Sequence, residues 1–282
     1  RDFMDKHELE QAVARAVEQT KATTPLAGSI TNAVTMNLVA NAQIAVGGSA
    51  AMVYLEDEAV GLSEVAGAFY VNAGTLLPPH EQSIPAVAQH VQQLGKSLVL
   101  DPVGIGLGSL RTRVLVALKP CKPAIVRGNA SEVIALANLW DLAGVEAAGG
   151  PRGVDAVDAV DDALAAALAI ARFTKGAVAI SGETDVVTDG ALVARSHGGS
   201  AMMTNITGAG CSQGGVIAIY AAVADPFAAA LAGVQVYNLA GSRAAAATDA
   251  PASFQVAFLD ELFRATPQDV AGNPFELAEV GA

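Results

Sequence analysis

A chain of 282 residues that is 52% hydrophobic and only 16% charged can bury a large core, in one domain or two. Its net charge of −12 argues against nucleic acid and against a polybasic membrane contact, yet leaves room for a phosphorylated ligand held locally by backbone N–H groups. Two cysteines, Cys121 and Cys211, make neither a disulfide framework nor a CxxC metal pair; with a polar start and no apolar run of membrane-spanning length, the cytoplasm is the expected compartment.

Leu9, Val13 and Val17 recur at helical spacing, so Asp5 to Lys21 reads as an amphipathic helix, ended by Thr23-Thr24-Pro25. Pro25 to Asn32 is a short strand or loop. Asn32 to Val46 is apolar with embedded amides, a helix on which Asn37 and Asn41 share a face as exposed or locally capping residues. Gly47-Gly48-Ser49 breaks it, and Ala50 to Val53 reads as a short buried strand, in which Met52 taken alone is a core filler. Ala68 to Asn72 is the next strand, Glu81 to Leu94 a helix, and Ser97 to Asp101 a buried strand running into Pro102. The run Val103 to Gly108 is no dinucleotide fingerprint, because its third glycine comes one residue early and the preceding strand already ends in Asp-Pro. Ala124 to Arg127 is a strand, with Gly128 to Glu132 opening a helix, and Val154 to Phe173 is an Ala-rich helix. Ala177 to Ile180 is a strand ending at Ser181-Gly182-Glu183, and Asp185 to Val193 a hairpin around Asp189-Gly190. A Gly-Ala-Gly loop then leads into helices over Gly215 to Ala224, Phe227 to Ala247 and Phe254 to Arg264.

This alternation of strands and helices predicts a single α/β domain over residues 1–282, with a mostly parallel sheet covered on both faces and no internal repeat. Ligands of such sheets bind beyond the carboxyl ends of the strands. Asn72, Asp101, Arg127 with Asn129 and Glu132, and Ser181 all fall there. The loop Gly208-Ala209-Gly210 opens a helix whose free N–H groups and positive dipole end suit an anion, with Cys211 at its rim. Phosphoryl transfer needs these parts: an anion cradle at Gly208, Ala209 and Gly210, carboxylates such as Asp101 and Glu132 to hold hydrated Mg²⁺, and Arg127 to neutralise phosphate oxygens. Each has a structural alternative, Asp101 as a turn cap, Glu132 as a helix start and Arg127 as an ion pair, but three together favour a site. The histidines His7, His80, His90 and His197 lie outside these strand ends and are assigned to the surface, Cys121 needs no role, and Trp140 is packing.

The motifs run in order: Ser29-Ile30-Thr31-Asn32 with Val34-Thr35-Met36-Asn37 and Ala40-Asn41; Gly47-Gly48-Ser49 to Met52; Asn72-Ala73-Gly74-Thr75-Leu76; Asp101-Pro102-Val103-Gly104 with Arg111; Arg127-Gly128-Asn129-Ala130-Ser131-Glu132; Ser181-Gly182-Glu183; and Thr207 to Cys211, continued by Ser253-Phe254 and Phe258-Leu259. Together they resemble the hydroxyethylthiazole kinase family of thiamine salvage, in the ribokinase-like superfamily. The resemblance implies ATP-dependent phosphorylation of 4-methyl-5-(2-hydroxyethyl)thiazole, with Met52 and Gly208 on the thiazole alcohol and Arg127 and Ser181 on ATP. It also implies an Mg²⁺-linked motif from Asn129 to Glu132, and a homotrimer whose thiazole pocket lies between subunits, the block around Asn32 serving that pocket and facing a neighbour. Three departures stand out: Gly28 where the family usually has His, Ser181 where it usually has Thr, and Ala50 in place of the Pro of the Gly-x-Ser-Pro turn. Ser181 keeps the hydroxyl; Gly28 and Ala50 bear on pocket shape. The superfamily usually has an Asp base where Cys211 stands. Because a helix N-terminus lowers a thiol pKa, Cys211 is the expected general base. Hydroxymethylpyrimidine kinases and the ribokinase-like dehydratases would be expected to carry Asp there, and a non-catalytic sensor on the same fold remains a third alternative.

Overall fold

A computed structural model describes residues 4–142 and 156–281. Nine strands form one sheet in the order β2-β1-β3-β4-β5-β6-β7-β8-β9. The first six are Leu26–Ile30 (β1), Ser49–Met52 (β2), Ala68–Asn72 (β3), Ser97–Asp101 (β4), Ile125–Asn129 (β5) and Ala177–Ser181 (β6), paired in parallel throughout. Asp185–Thr188 (β7), Leu192–Ser196 (β8) and Phe275–Glu279 (β9) add an antiparallel extension. The sheet is thus mixed, parallel where helices alternate with strands and antiparallel where the Asp189-Gly190 turn folds the chain back.

Eleven α-helices among the described residues cover the sheet: Lys6–Thr23 (α1), Met36–Ala45 (α2), Glu56–Val65 (α3), His80–Gln93 (α4), Ser109–Leu118 (α5), Ala130–Leu139 (α6), Ala156–Thr174 (α7), Ala209–Ala221 (α8), Pro226–Ala247 (α9), Pro251–Arg264 (α10) and Pro267–Ala271 (α11). The expected helix from Val154 begins outside the described residues; its described part is α7. Two apolar layers result, one on each face. Strand alternation assigns the side chains: Ala68 and Tyr70 of β3 join the layer of α1, α2, α8, α9 and α10, whereas Phe69 and Val71 join the layer of α3 to α7.

Several boundaries differ from the sequence expectation for local reasons. Helix α2 starts at Met36 rather than Asn32, because the Asn32 carboxamide oxygen accepts from the Thr35 amide at 3.1 Å and closes a turn. Helix α8 starts at Ala209, well before Gly215. Strand β2 is half-buried throughout, as befits an edge strand, and not the buried strand expected. Helices α3 and α5 and strand β9 were not anticipated by apolar period. Asn37 and Asn41 satisfy each other on the exposed face of α2, as expected, at 2.9 Å. Trp140 is buried, its indole N–H on the Leu115 carbonyl at 2.9 Å.

Candidate active site

All the polar residues expected at strand ends do lie at the carboxyl edge of the parallel strands: Asn72 ends β3, Asp101 ends β4, Asn129 ends β5 and Ser181 ends β6. Beyond that edge is a cavity of about 760 Å³ lined by Arg127, Ser181, Asp185, Gly208, Ala209 and Gly210 together with Gln213, Asn238 and the segment 198–204. The first turn of α8 forms one wall. Its N-cap is Gly208, left-handed at φ 89°, and no side chain caps it, so the amides of Ala209, Gly210 and Cys211 have no intrahelical acceptor. A wall of free N–H groups at a positive dipole end is an anion site.

Arg127 is the hub of the buried polar chemistry. Its guanidinium donates to Asp101 Oδ2 at 3.3 Å, to Ser181 Oγ at 2.7 Å and to Gln213 Oε1 at 3.1 Å. Both reading and alternative are therefore realised: Arg127 is an ion pair and a cavity residue at once. Three of its five N–H groups are engaged, which leaves two for a phosphate oxygen. Gly210 makes this possible, since a Cβ there would sit 2.5 Å from Arg127 Nη2. Glycine at 210 serves the approach of the guanidinium to the helix, a role that a backbone-only view of the Gly-Ala-Gly loop misses.

Asp101 is fully buried. Burial pushes its carboxyl up to about 6, the Arg127 guanidinium pulls against this, and the charge of Glu132 adds to the rise. Oδ2 accepts from Arg127 and lies 3.2 Å from the Tyr70 phenol oxygen, whose one proton it shares with the Cys211 carbonyl, while Oδ1 is buried with no protein partner. An orphaned carboxylate oxygen at a strand end fits an acceptor for the water of a hydrated Mg²⁺. The Glu132 carboxylate is engaged locally, its Oε2 accepting from the Asn129 amide at 2.9 Å in a capping box that opens α6. Among the described residues no three His, Cys, Asp or Glu side chains gather as a metal cage.

Cys211 and Asn32 meet on the other side of the first turn of α8, outside the cavity lining. The Asn32 carboxamide donates to Cys211 Sγ at 3.3 Å and to Asn72 Oδ1 at 3.1 Å. The thiol pKa is raised, chiefly by burial and then by the Asp101 charge. This corrects the expectation of a lowered thiol: at a helix N-terminus with an anionic neighbour and little solvent, desolvation outweighs the dipole. Met52, at the end of edge strand β2, packs partly buried against the α8-side layer. The departure at Gly28 has a packing cause, for a Cβ there would lie 2.6 Å from the Phe69 ring.

His80 corrects the surface assignment of the histidines. It is 2% exposed, stacks on Tyr54 at 5.6 Å, and its Nδ1 accepts from the Leu77 amide at 2.9 Å while Nε2 has no partner. Leu77 is local but Tyr54 is distant in sequence, so the only signal was the Pro78-Pro79 turn before it. Tyr70, Gln213, Asp185 and Asn238 were also missed. Gln213 lies two residues past Cys211 and was legible as part of the loop; Tyr70 and Asn238 sit inside apolar runs, which periodicity assigns to core, and Asp185 reads only as the start of a hairpin.

The sheet with helices on both faces is the ribokinase-like fold. Fold similarity agrees: the pyridoxal kinase from Staphylococcus aureus in complex with ADP superposes with TM-score 0.59 at 16% identity, covering 92% of this chain and 100% of that one. The hydroxyethylthiazole kinase from Pyrococcus horikoshii OT3 superposes with TM-score 0.83 at 28% identity, over 96% and 100% of the two chains. Residues 17–268 match the model of the hydroxyethylthiazole kinase family, and the chain belongs to that family. A hydroxyethylthiazole kinase of Bifidobacterium longum (strain DJO10A) is 50% identical over 278 residues, covering 92% of this chain and 88% of the relative. One of Bifidobacterium animalis subsp. lactis (strain AD011) is 46% identical over 280 residues, covering 96% and 92%.

Proposed function

We propose that this protein, a single domain, transfers the γ-phosphoryl group of ATP to the hydroxyl of 4-methyl-5-(2-hydroxyethyl)thiazole, as its family membership and site chemistry support. The observation that carries the reading is the uncapped first turn of α8, with the nucleotide-sized cavity and Arg127 on one side and Asn32 with Cys211 on the other. A group that accepts negative charge thus lies between a place for a nucleotide and a place for an alcohol. ATP lies in the cavity, its terminal phosphates toward Arg127, Ser181 and the amides of Ala209 and Gly210. The alcohol approaches from the side of Asn32, Met52 and Gly208. Its oxygen attacks the γ-phosphorus, the bond to the β-phosphate bridging oxygen breaks as ADP leaves, and the alcohol proton passes to solvent water. Most of the catalysis is positioning and charge stabilisation by fixed donors.

Bound Mg²⁺ would neutralise phosphate charge, with Asp101 and Glu132 holding it through water. Cys211 takes part as a neutral thiol beside the alcohol, and its accepted contact from Asn32 aligns it. The working assembly is a homotrimer in the cytoplasm, with the alcohol pocket completed by a neighbour. Val34, Ile44 and Leu55 are exposed at 66%, 57% and 50%, apolar surface that such an assembly would cover. The test is ATP-dependent phosphorylation of an alcohol panel that includes the thiazole and hydroxymethylpyrimidine. The thiazole phosphate is the expected product. Turnover of the pyrimidine alone would reassign the substrate, and binding without product would point to a sensor.

A further inference from the structure

The start of α8 is held by a ring of contacts that no sequence motif contains. The Tyr70 phenol oxygen lies 2.8 Å from the Cys211 carbonyl oxygen and 3.2 Å from Asp101 Oδ2. The same Oδ2 accepts from Arg127, and the Arg127 guanidinium lies against Gly210, the residue before Cys211. The ring therefore runs from α8 through β3, β4 and β5 and back to α8. Asn72, on the same face of β3 as Tyr70, donates into the phenol oxygen at 3.0 Å and links it to Asn32. Gly214, one turn into α8, clears the space, since a Cβ there would be 2.6 Å from the phenol oxygen.

We propose that Tyr70 is a positioning residue for phosphoryl transfer: its hydroxyl fixes the first turn of α8 relative to the Asp101–Arg127 pair. The inference rests on the phosphotransfer reading above. A buried tyrosine hydroxyl usually finds some partner, and Tyr237 does so with Ser212 Oγ at 2.8 Å. Tyr70 differs in that every partner of its hydroxyl is a residue of the site. The ring of the side chain fills a core volume that phenylalanine would fill equally. What the hydroxyl adds is a short tether, its one proton shared between the Cys211 carbonyl and Asp101 Oδ2, between the amides that receive developing charge and the carboxylate–guanidinium pair opposite them. Donors aimed at a transition state lose effect steeply when displaced, about 100-fold for a shift near 1 Å. Ground-state binding of a flexible triphosphate tolerates such a shift better. The hydroxyl therefore governs kcat more than affinity.

Tyr70→Phe tests this with volume kept. We expect kcat for ATP and the thiazole alcohol to fall about 10- to 100-fold. KM for both substrates stays within about threefold, and the affinity for ADP is unchanged. The affinity for ADP with aluminium fluoride and the alcohol, a mimic of the transferring phosphoryl group, falls in parallel with kcat. Wild-type kcat in the variant overturns the proposal, as does a loss of ADP affinity as large as the loss of kcat, which would mean general damage. If Tyr70→Phe does not fold, Gly214→Ala displaces the hydroxyl with the tyrosine retained. The same loss of kcat at constant ADP affinity is then expected, and an unaffected kcat overturns the proposal. A wild-type protein that phosphorylates no alcohol in the panel would instead defeat the phosphotransfer reading.

Discussion

Cys211 is the residue whose chemistry changes most between sequence and fold. Met203 to Gly215 reads as a loop with a reactive thiol at a helix start, and the helix start is there. The thiol, however, is partly buried and shares its surroundings with Asp101, so it holds its proton more firmly than a free cysteine. A neutral thiol is a weak base, and phosphoryl transfer asks little of a base. Cys211→Ala is accordingly expected to lower kcat by less than about tenfold. Cys211→Asp should keep or raise kcat relative to the alanine variant, with Arg127 near enough to offset the new charge. Steady-state kcat of both variants with the thiazole alcohol decides it, and a fully active alanine enzyme beside a dead aspartate enzyme would assign Cys211 to packing alone.

At the scale of elements, the stretch from Leu77 through α4 shows how a local turn creates a buried titratable group. Pro78-Pro79 sets the chain so that His80 starts α4 with its ring turned inward, against Tyr54. Burial lowers its pKa. A histidine that folds in the neutral form binds fewer protons folded than unfolded. Its contribution is present above the unfolded pKa of about 6.5 and is lost as pH falls from there through the folded value. Tm measured by calorimetry from pH 7.5 to 5 should therefore fall on the acid side, and His80→Phe should flatten that fall. An unchanged slope in the variant would place the acid sensitivity elsewhere. Nothing in the periodicity of this segment distinguishes an inward from an outward histidine, because the deciding contact is to Tyr54, beyond strand β2.

For the whole molecule, the legible and illegible parts separate by kind of evidence. Strands β3, β4 and β6 were readable nearly to the residue, because Ala68 to Asn72, Ser97 to Asp101 and Ala177 to Ser181 are short apolar runs each ended by a polar residue. The same endings made Asp101 and Ser181 candidates, and Arg127 became one from the strand that opens into Gly128 to Glu132. What could not be read were pairings between distant segments: Tyr70 with Cys211, Gln213 with Arg127, and β9 with β8. Helix α8 also hid its start, because Gly210, Gly214 and Gly215 look like loop residues. They are helix residues kept as glycine because neighbouring side chains crowd that wall. The oligomeric state is a further whole-molecule property. A homotrimer is expected by light scattering at micromolar concentration, and a monomer with full activity would remove any shared pocket.

Strand β9 has a consequence for the order in which the protein is made. It pairs with β8, and just before it Asn273 donates to the His197 carbonyl at 2.9 Å and to Gln235 Oε1 at 2.9 Å. His197 leads directly into Gly198 to Ser200, part of the cavity wall. During synthesis the N-terminal parallel strands can collapse as soon as they emerge, whereas this wall must wait for residues some eighty positions downstream. A nascent chain held on the ribosome before residue 273 would then carry a nearly complete sheet and still lack a finished cavity wall.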